Sequence, residues 1–126
     1  MSFIYGGIDY SKLVELLQKL FVLKEVSNVV AAAGADTTVI PETSIEDYKY
    51  KTITIKADYA LEVKVYCYDS SSEYDANDPY YSTTLTANKT KVISFEEDFK
   101  YCRVVVNNPD SSSHTVTFAR LKGRRL

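Results

Sequence analysis

YKTITIKADYALEVKVYCY, residues 50–68, is the stretch whose reading decides the fold. In its first half Ile53 and Ile55 alternate with Thr52, Thr54 and Lys56, and the chain then turns at Asp58 and Tyr59. Beyond the turn Leu61, Val63, Val65 and Cys67 fall on one side of an extended chain, and Glu62, Lys64, Tyr66 and Tyr68 on the other. Successive side chains of a strand point to opposite faces, so this two-residue rhythm describes two strands, each with one dry and one wet face.

The rhythm continues in both directions. Upstream, residues 26–33 and 37–40 are candidate strands around a turn at Gly34-Ala35-Asp36, the second of them stopped by Pro41. Downstream, residues 80–87 and 90–96 flank a turn at Asn88. Residues 100–107 then set Cys102, Val104 and Val106 against Tyr101, Arg103 and Val105. A turn over 107–111 (Asn-Asn-Pro-Asp-Ser) leads to a closing strand in which His114, Val116 and Phe118 alternate with threonines as far as Leu121. Seven or eight short strands with brief connections predict a mainly β protein. The expected architecture is an antiparallel β-sandwich, jelly-roll or Ig-like, over residues 26–126.

Residues 1–25 follow a different period. After Gly6-Gly7, Asp9 or Ser11 can cap an amphipathic helix over residues 9–25. Leu13, Val14, Leu16, Leu17, Leu20, Phe21 and Leu23 fill an arc of about 180°, wider than the stripe of about 100° that one packed face needs. The surplus predicts packing on two sides, and Leu13, Leu16, Leu17, Leu20, Phe21 and Leu23 are the candidate oligomer interface.

Composition narrows the function. The chain has 126 residues, enough for one domain with its own core. Its net charge of −2 provides no general basic surface, which argues against nucleic acid as a partner. The charge is uneven: Arg120, Lys122, Arg124 and Arg125 stand within the last seven residues, and the other 11 basic residues face 17 acidic ones. An acidic body therefore ends in a basic tail, read as a solvated terminus or as a contact for an acidic neighbour. No apolar run reaches the length of a membrane span, and the first residues lack the basic start of a secretory signal, so a product made inside the cell is expected.

The segment YCYDSSSEYDANDPYY, residues 66–81, is the richest candidate site. Tyr66, Tyr68, Tyr74, Tyr80 and Tyr81 are a candidate sugar-stacking platform. Asp69, Glu73, Asp75 and Asp78 are candidate calcium ligands, although no register supplies both the glycine and the closing glutamate of an EF-hand loop. Neither feature establishes a metal or cofactor requirement, and none is expected. Cys67 and Cys102 both fall on inward positions, as free thiols or as a pair, with free thiols expected in a reducing compartment. A phosphate loop, a nucleophile elbow and a zinc-protease motif are all missing from the sequence, and His114 has no nucleophile near it in sequence. A non-enzymatic protein is expected.

TITIKADYALEVKVYCYDSSSEYD and YYSTTLTANKTKVISFEEDFKYCRVVVNNPDSSSHTVTF together resemble β-sandwich domains of virus and phage structural proteins. The shared pattern covers residues 48–121: an alternating strand pair, a polar loop, the phrase ending YCRVVVNN, and a threonine-rich closing strand. The resemblance implies a capsid, tail or spike component that self-assembles, acts within the virion and is assembled in the host cytoplasm. Its partners would be further copies of itself and other virion proteins. The alternative is a small carbohydrate- or calcium-binding module with a glycan partner, and a third option is an adaptor that adds a strand to a host protein.

Overall fold

The computed structural model describes residues 4–5, 8–9, 11 and 22–125. Two short strands, β1 (Ile4–Tyr5) and β2 (Ile8–Asp9), pair antiparallel. Eight longer strands follow: β3 (Val22–Ala31), β4 (Asp36–Ser44), β5 (Tyr50–Ala57), β6 (Glu62–Tyr68), β7 (Tyr81–Thr84), β8 (Lys91–Phe95), β9 (Tyr101–Asn107) and β10 (His114–Arg124). They form two antiparallel four-stranded sheets, one ordered β3-β10-β5-β8 and the other β4-β9-β6-β7. Among the described residues β6 and β7 are the only consecutive long strands that share a sheet. Every other connection crosses from one layer to the other. An Ig-like sandwich places its first two strands side by side, so this strand order departs from the Ig-like option.

The alternation of residues 50–68 becomes the core as expected. Ile53, Ile55, Leu61, Val63 and Val65 are fully buried, and they meet Val104, Val106 and Leu121 from β9 and β10. Each such side chain contributes roughly 1.5–3 kcal/mol on leaving water. Two buried polar side chains close the ends of this core. At one end Asn108 donates from Nδ2 to the carbonyls of Ala31 and Ser112 at 3.0 and 2.9 Å, and its Oδ1 accepts the amide of Asp110 at 3.0 Å. At the other end Lys51, 1% exposed, donates from Nζ to the carbonyls of Glu97, Tyr48 and Lys49 at 2.8, 3.3 and 3.3 Å.

Three expectations need correction. The helix expected over residues 9–25 falls largely on residues outside those described, but Asp9 belongs to β2 and Val22 to Glu25 begin β3. Pairing of β10 through Lys122 to Val22, Leu121 to Lys24 and Arg120 to Glu25 supplies the ladder that holds them extended. Pro41 does not stop its strand, because β4 is an edge strand and the pairing slips between Ile40 and Thr43, where a missing N–H costs nothing in the ladder. The basic tail is no tail either: β10 runs to Arg124 and is an inner strand, paired with β3 on one side and β5 on the other.

Candidate functional site

Tyr66 and Tyr68 stand on the outward face of β6, as their alternation with Cys67 requires, yet they are only 2% and 5% exposed. The loop between β6 and β7 folds back over them. Its Tyr74 ring meets Tyr66 edge-on at 5.0 Å and Tyr68 at 6.1 Å, and the Arg103 guanidinium lies 4.1 Å from the Tyr74 ring. Arg103 is the register partner of Tyr66 on β9, which places the cation beneath that ring. The hydroxyls fasten the roof. Tyr66 donates to the carbonyl of Ala76 at 2.8 Å, Tyr68 donates to Glu42 Oε1 at 2.6 Å, and Ser71 donates to Glu42 Oε2 at 2.8 Å.

The electrostatics suit a latch. The Tyr68 and Ser71 hydroxyls hold the Glu42 carboxyl below its ordinary value. Desolvation pushes the Tyr66 and Tyr68 phenols up to about 12, with the Glu42 hydrogen bond adding to the shift at Tyr68. Near neutrality Glu42 is therefore charged and both phenols are protonated. Neither is poised to exchange a proton with a substrate.

The five tyrosines do not form one platform. Tyr66, Tyr68 and Tyr74 pack on each other, Tyr80 leans on Phe95 and Phe99 at 5.6 and 5.3 Å, and Tyr81 is 42% exposed at the start of β7. The candidate calcium ligands are likewise engaged or dispersed. Asp69 Oδ1 accepts the amide of Lys100, Asp75 Oδ1 accepts the amide of Asn77, and Glu73 and Asp78 are exposed. Among the described residues no cluster of three or more His, Cys, Asp or Glu side chains is placed to hold a metal ion. Of the helical interface candidates, Leu13, Leu16, Leu17, Leu20 and Phe21 lie outside the described residues, and Leu23 packs half-buried against the main core.

Cys67 and Cys102 are free thiols and register partners on adjacent strands of one sheet. A hydrogen bond with Cys67, with burial added, raises the Cys102 thiol well above its ordinary value. His114 is more engaged than its strand position suggested. Its Nε2 lies 2.6 Å from Asp110 Oδ2, its Nδ1 lies 3.7 Å from Asp58 Oδ1, and its ring stacks on Tyr59 at 4.0 Å. Among the described residues no serine or cysteine hydrogen-bonds to this imidazole, so the arrangement lacks the nucleophile of a triad.

Sequence reasoning passed over the outward face of the β3-β10-β5-β8 sheet. The registers of its ladders set side chains in rows: Ser27, Phe118 and Lys56; Glu25, Arg120, Thr54 and Val92; Val22, Lys122, Thr52 and Ser94; Arg124 and Tyr50. Each row carries one cation. Glu25 is the carboxylate of these rows, and it pairs with Arg120 at 2.8 Å. Arg124 lies 4.7 Å from the Tyr50 ring and Arg120 lies 5.6 Å from that of Phe118. Val92 is 57% exposed on the same face. The signal was present in the sequence, since Arg120, Lys122 and Arg124 recur with a period of two.

Opposite in charge are the loops at one end. The ladders align Ser44, Tyr101 and Tyr68, so the segments 45–49, 69–80 and 96–100 start at or return to one end of the sandwich, with Tyr74 and Ala76 of the second folded back over β6. They carry nine of the 17 carboxylates, against Lys49 and Lys100. Glu46, Asp69 and Asp98 from the three loops line one open cleft with Lys100.

No family model matches the chain, and a search of curated proteins finds no relative. Solved structures do resemble it. PirA is 11% identical with a TM-score of 0.53, over 79% of this chain and 93% of that one. A protein of Bacillus endospore appendages, described as disulfide-linked pili, is 11% identical with a TM-score of 0.45, over 82% and 88%. A carbohydrate-binding module of Cellvibrio mixtus lichenase 5A, solved with cellotriose, is 6% identical with a TM-score of 0.45, over 80% and 97%. The likeness to PirA shows a shared β-sandwich fold and nothing about activity.

Proposed function

We propose that this chain is a non-enzymatic structural protein that self-assembles, and that its place is a virus or phage particle put together in the host cytoplasm. The observation that carries the reading is an asymmetry between the two outer faces. Among the described residues one sheet is roofed by its own β6–β7 loop, while the other presents four rows of side chains with Val92 and the Lys122 and Arg124 cations exposed. A face with cations along its inner strand β10 and an exposed valine on its edge strand β8 suits contact with another macromolecule.

The strand order supports the finer architectural reading. Numbered from β3 to β10, the sheets run first-eighth-third-sixth and second-seventh-fourth-fifth, the order of a jelly roll, a fold used by capsid and lectin domains alike. Fold alone does not choose between those uses. The absence of a shared tyrosine platform weighs against the glycan-binding alternative.

The mass of the full chain in solution tests this reading. Light scattering at micromolar concentration is expected to give a multiple of the 14.2 kDa protomer, and a strictly monomeric mass would count against it.

A further inference from the structure

Resting on that reading, we infer that copies join head to tail, the cationic outward face of the β3-β10-β5-β8 sheet of one copy docking on the acidic loop end of the next. The face carries Lys56, Arg120, Lys122 and Arg124 against one carboxylate, Glu25. The three loop segments carry nine carboxylates against two lysines, and Lys51 and Arg125 line a cleft with four of those carboxylates, Glu46, Asp47, Glu96 and Asp98. The face is net cationic and the loop end net acidic, and where they adjoin Arg124 shares a cleft with Glu96 of the same molecule. Two cationic faces repel each other, as do two acidic ends, which disfavours a symmetric contact between like surfaces. A contact between two different regions of one chain is heterologous, and repeated it gives a ring or an open filament.

The local structure fits the face for this role. Arg120, Lys122 and Arg124 alternate along one inner strand, so their Cα atoms stand about 6.7 Å apart on one ladder. The Tyr50 and Phe118 rings lie beside Arg124 and Arg120, which limits the freedom those side chains lose on docking. Val92 supplies an exposed apolar contact within the same rows. On the partner side, Glu73, Asp78 and Asp98 are exposed carboxylates on two of the three loops. The acidic loop end provides the matching charge on the chain itself, so a second copy is the occupant, and binding of nucleic acid is an outcome of the test.

A charge-swap experiment tests the arrangement. One variant carries Lys122→Glu with Arg124→Glu, and the other carries Glu73→Lys, Asp78→Lys and Asp98→Lys. Each alone is expected to lose self-association by at least about tenfold, because the first variant sets carboxylates against carboxylates and the second leaves the loop segments nearly neutral opposite the cationic face. Mixed in equal amounts, the two are expected to form mixed pairs, since the unaltered face of one then meets the unaltered loop end of the other. Circular dichroism checks that both keep their strand content. Salt titration of the unaltered chain reads the same contact without substitution, and assembly is expected to weaken as salt rises. If the unaltered chain assembles while the variants and salt leave its mass unchanged, this docking is wrong and the assembly reading stands. A chain monomeric at every salt concentration overturns both. Retention on immobilised DNA that Lys122→Glu with Arg124→Glu abolishes, with no self-association, overturns the choice of partner.

Discussion

At the scale of single residues, Lys51 shows how a polar group comes to hold a core closed. It takes an inward position on β5 in line with Ile53 and Ile55, yet its ammonium meets three carbonyls at the end of the sandwich and lies 5.3 Å from the Phe95 ring. Lys51→Met keeps most of the volume and removes every donor. It is expected to cost about 1–3 kcal/mol through the orphaned carbonyls, seen as a lower denaturant midpoint with an unchanged slope. An unaltered midpoint would show that these bonds contribute nothing net. Tyr66 and Tyr68 make a second prediction. Their phenols ionise at about 12 in the folded protein against 10 when unfolded, so above pH 10 the unfolded chain releases protons that the folded chain retains. Stability from these groups is whole below pH 10 and is lost as pH rises toward 12. Melting temperature followed across that window is expected to fall, and less steeply in Tyr66→Phe with Tyr68→Phe.

At the scale of elements, β10 carries most of the correction between sequence and structure. Its end looked like a solvated basic terminus because the charges hide an alternation: Ala119, Leu121 and Gly123 are buried while Lys122 and Arg124 are exposed. Gly123 has a steric reason to be glycine, since a Cβ there would come within 2.5 Å of Tyr48 Cγ and 2.6 Å of Cδ1. Gly123→Ala forces that ring aside and is expected to destabilise by about 1–3 kcal/mol, readable as a drop in melting temperature. The strand faces from Tyr50 onward were legible, because alternation survives in any sheet with one dry side. The start of β3 was not, since Leu23, Lys24 and Glu25 also satisfy a helical period, with Val22 alone breaking it, and only their ladder to β10 decides the matter. Pro41 misled for a related reason: an edge strand tolerates what an inner strand does not, and edge position is a property of the sheet.

At the scale of the whole molecule, charge is segregated in a way that composition concealed. A net of −2 combines a cationic sheet face with an acidic loop end. The layers could be expected from the sequence, but not their strand order, which depends on pairings between residues as distant as Arg120 and Glu25. The tyrosine-rich loop was likewise visible as a feature and not as a roof, because its folding back onto β6 is fixed by the bonds to Ala76 and Glu42. Sedimentation velocity of the full chain at about 0.05 M and about 0.5 M salt tests the central claim most directly, as the screening length shrinks severalfold between them. The account predicts assemblies at low salt that dissociate toward the 14.2 kDa protomer at high salt. A single monomeric boundary at both, or an oligomer indifferent to salt, would contradict it.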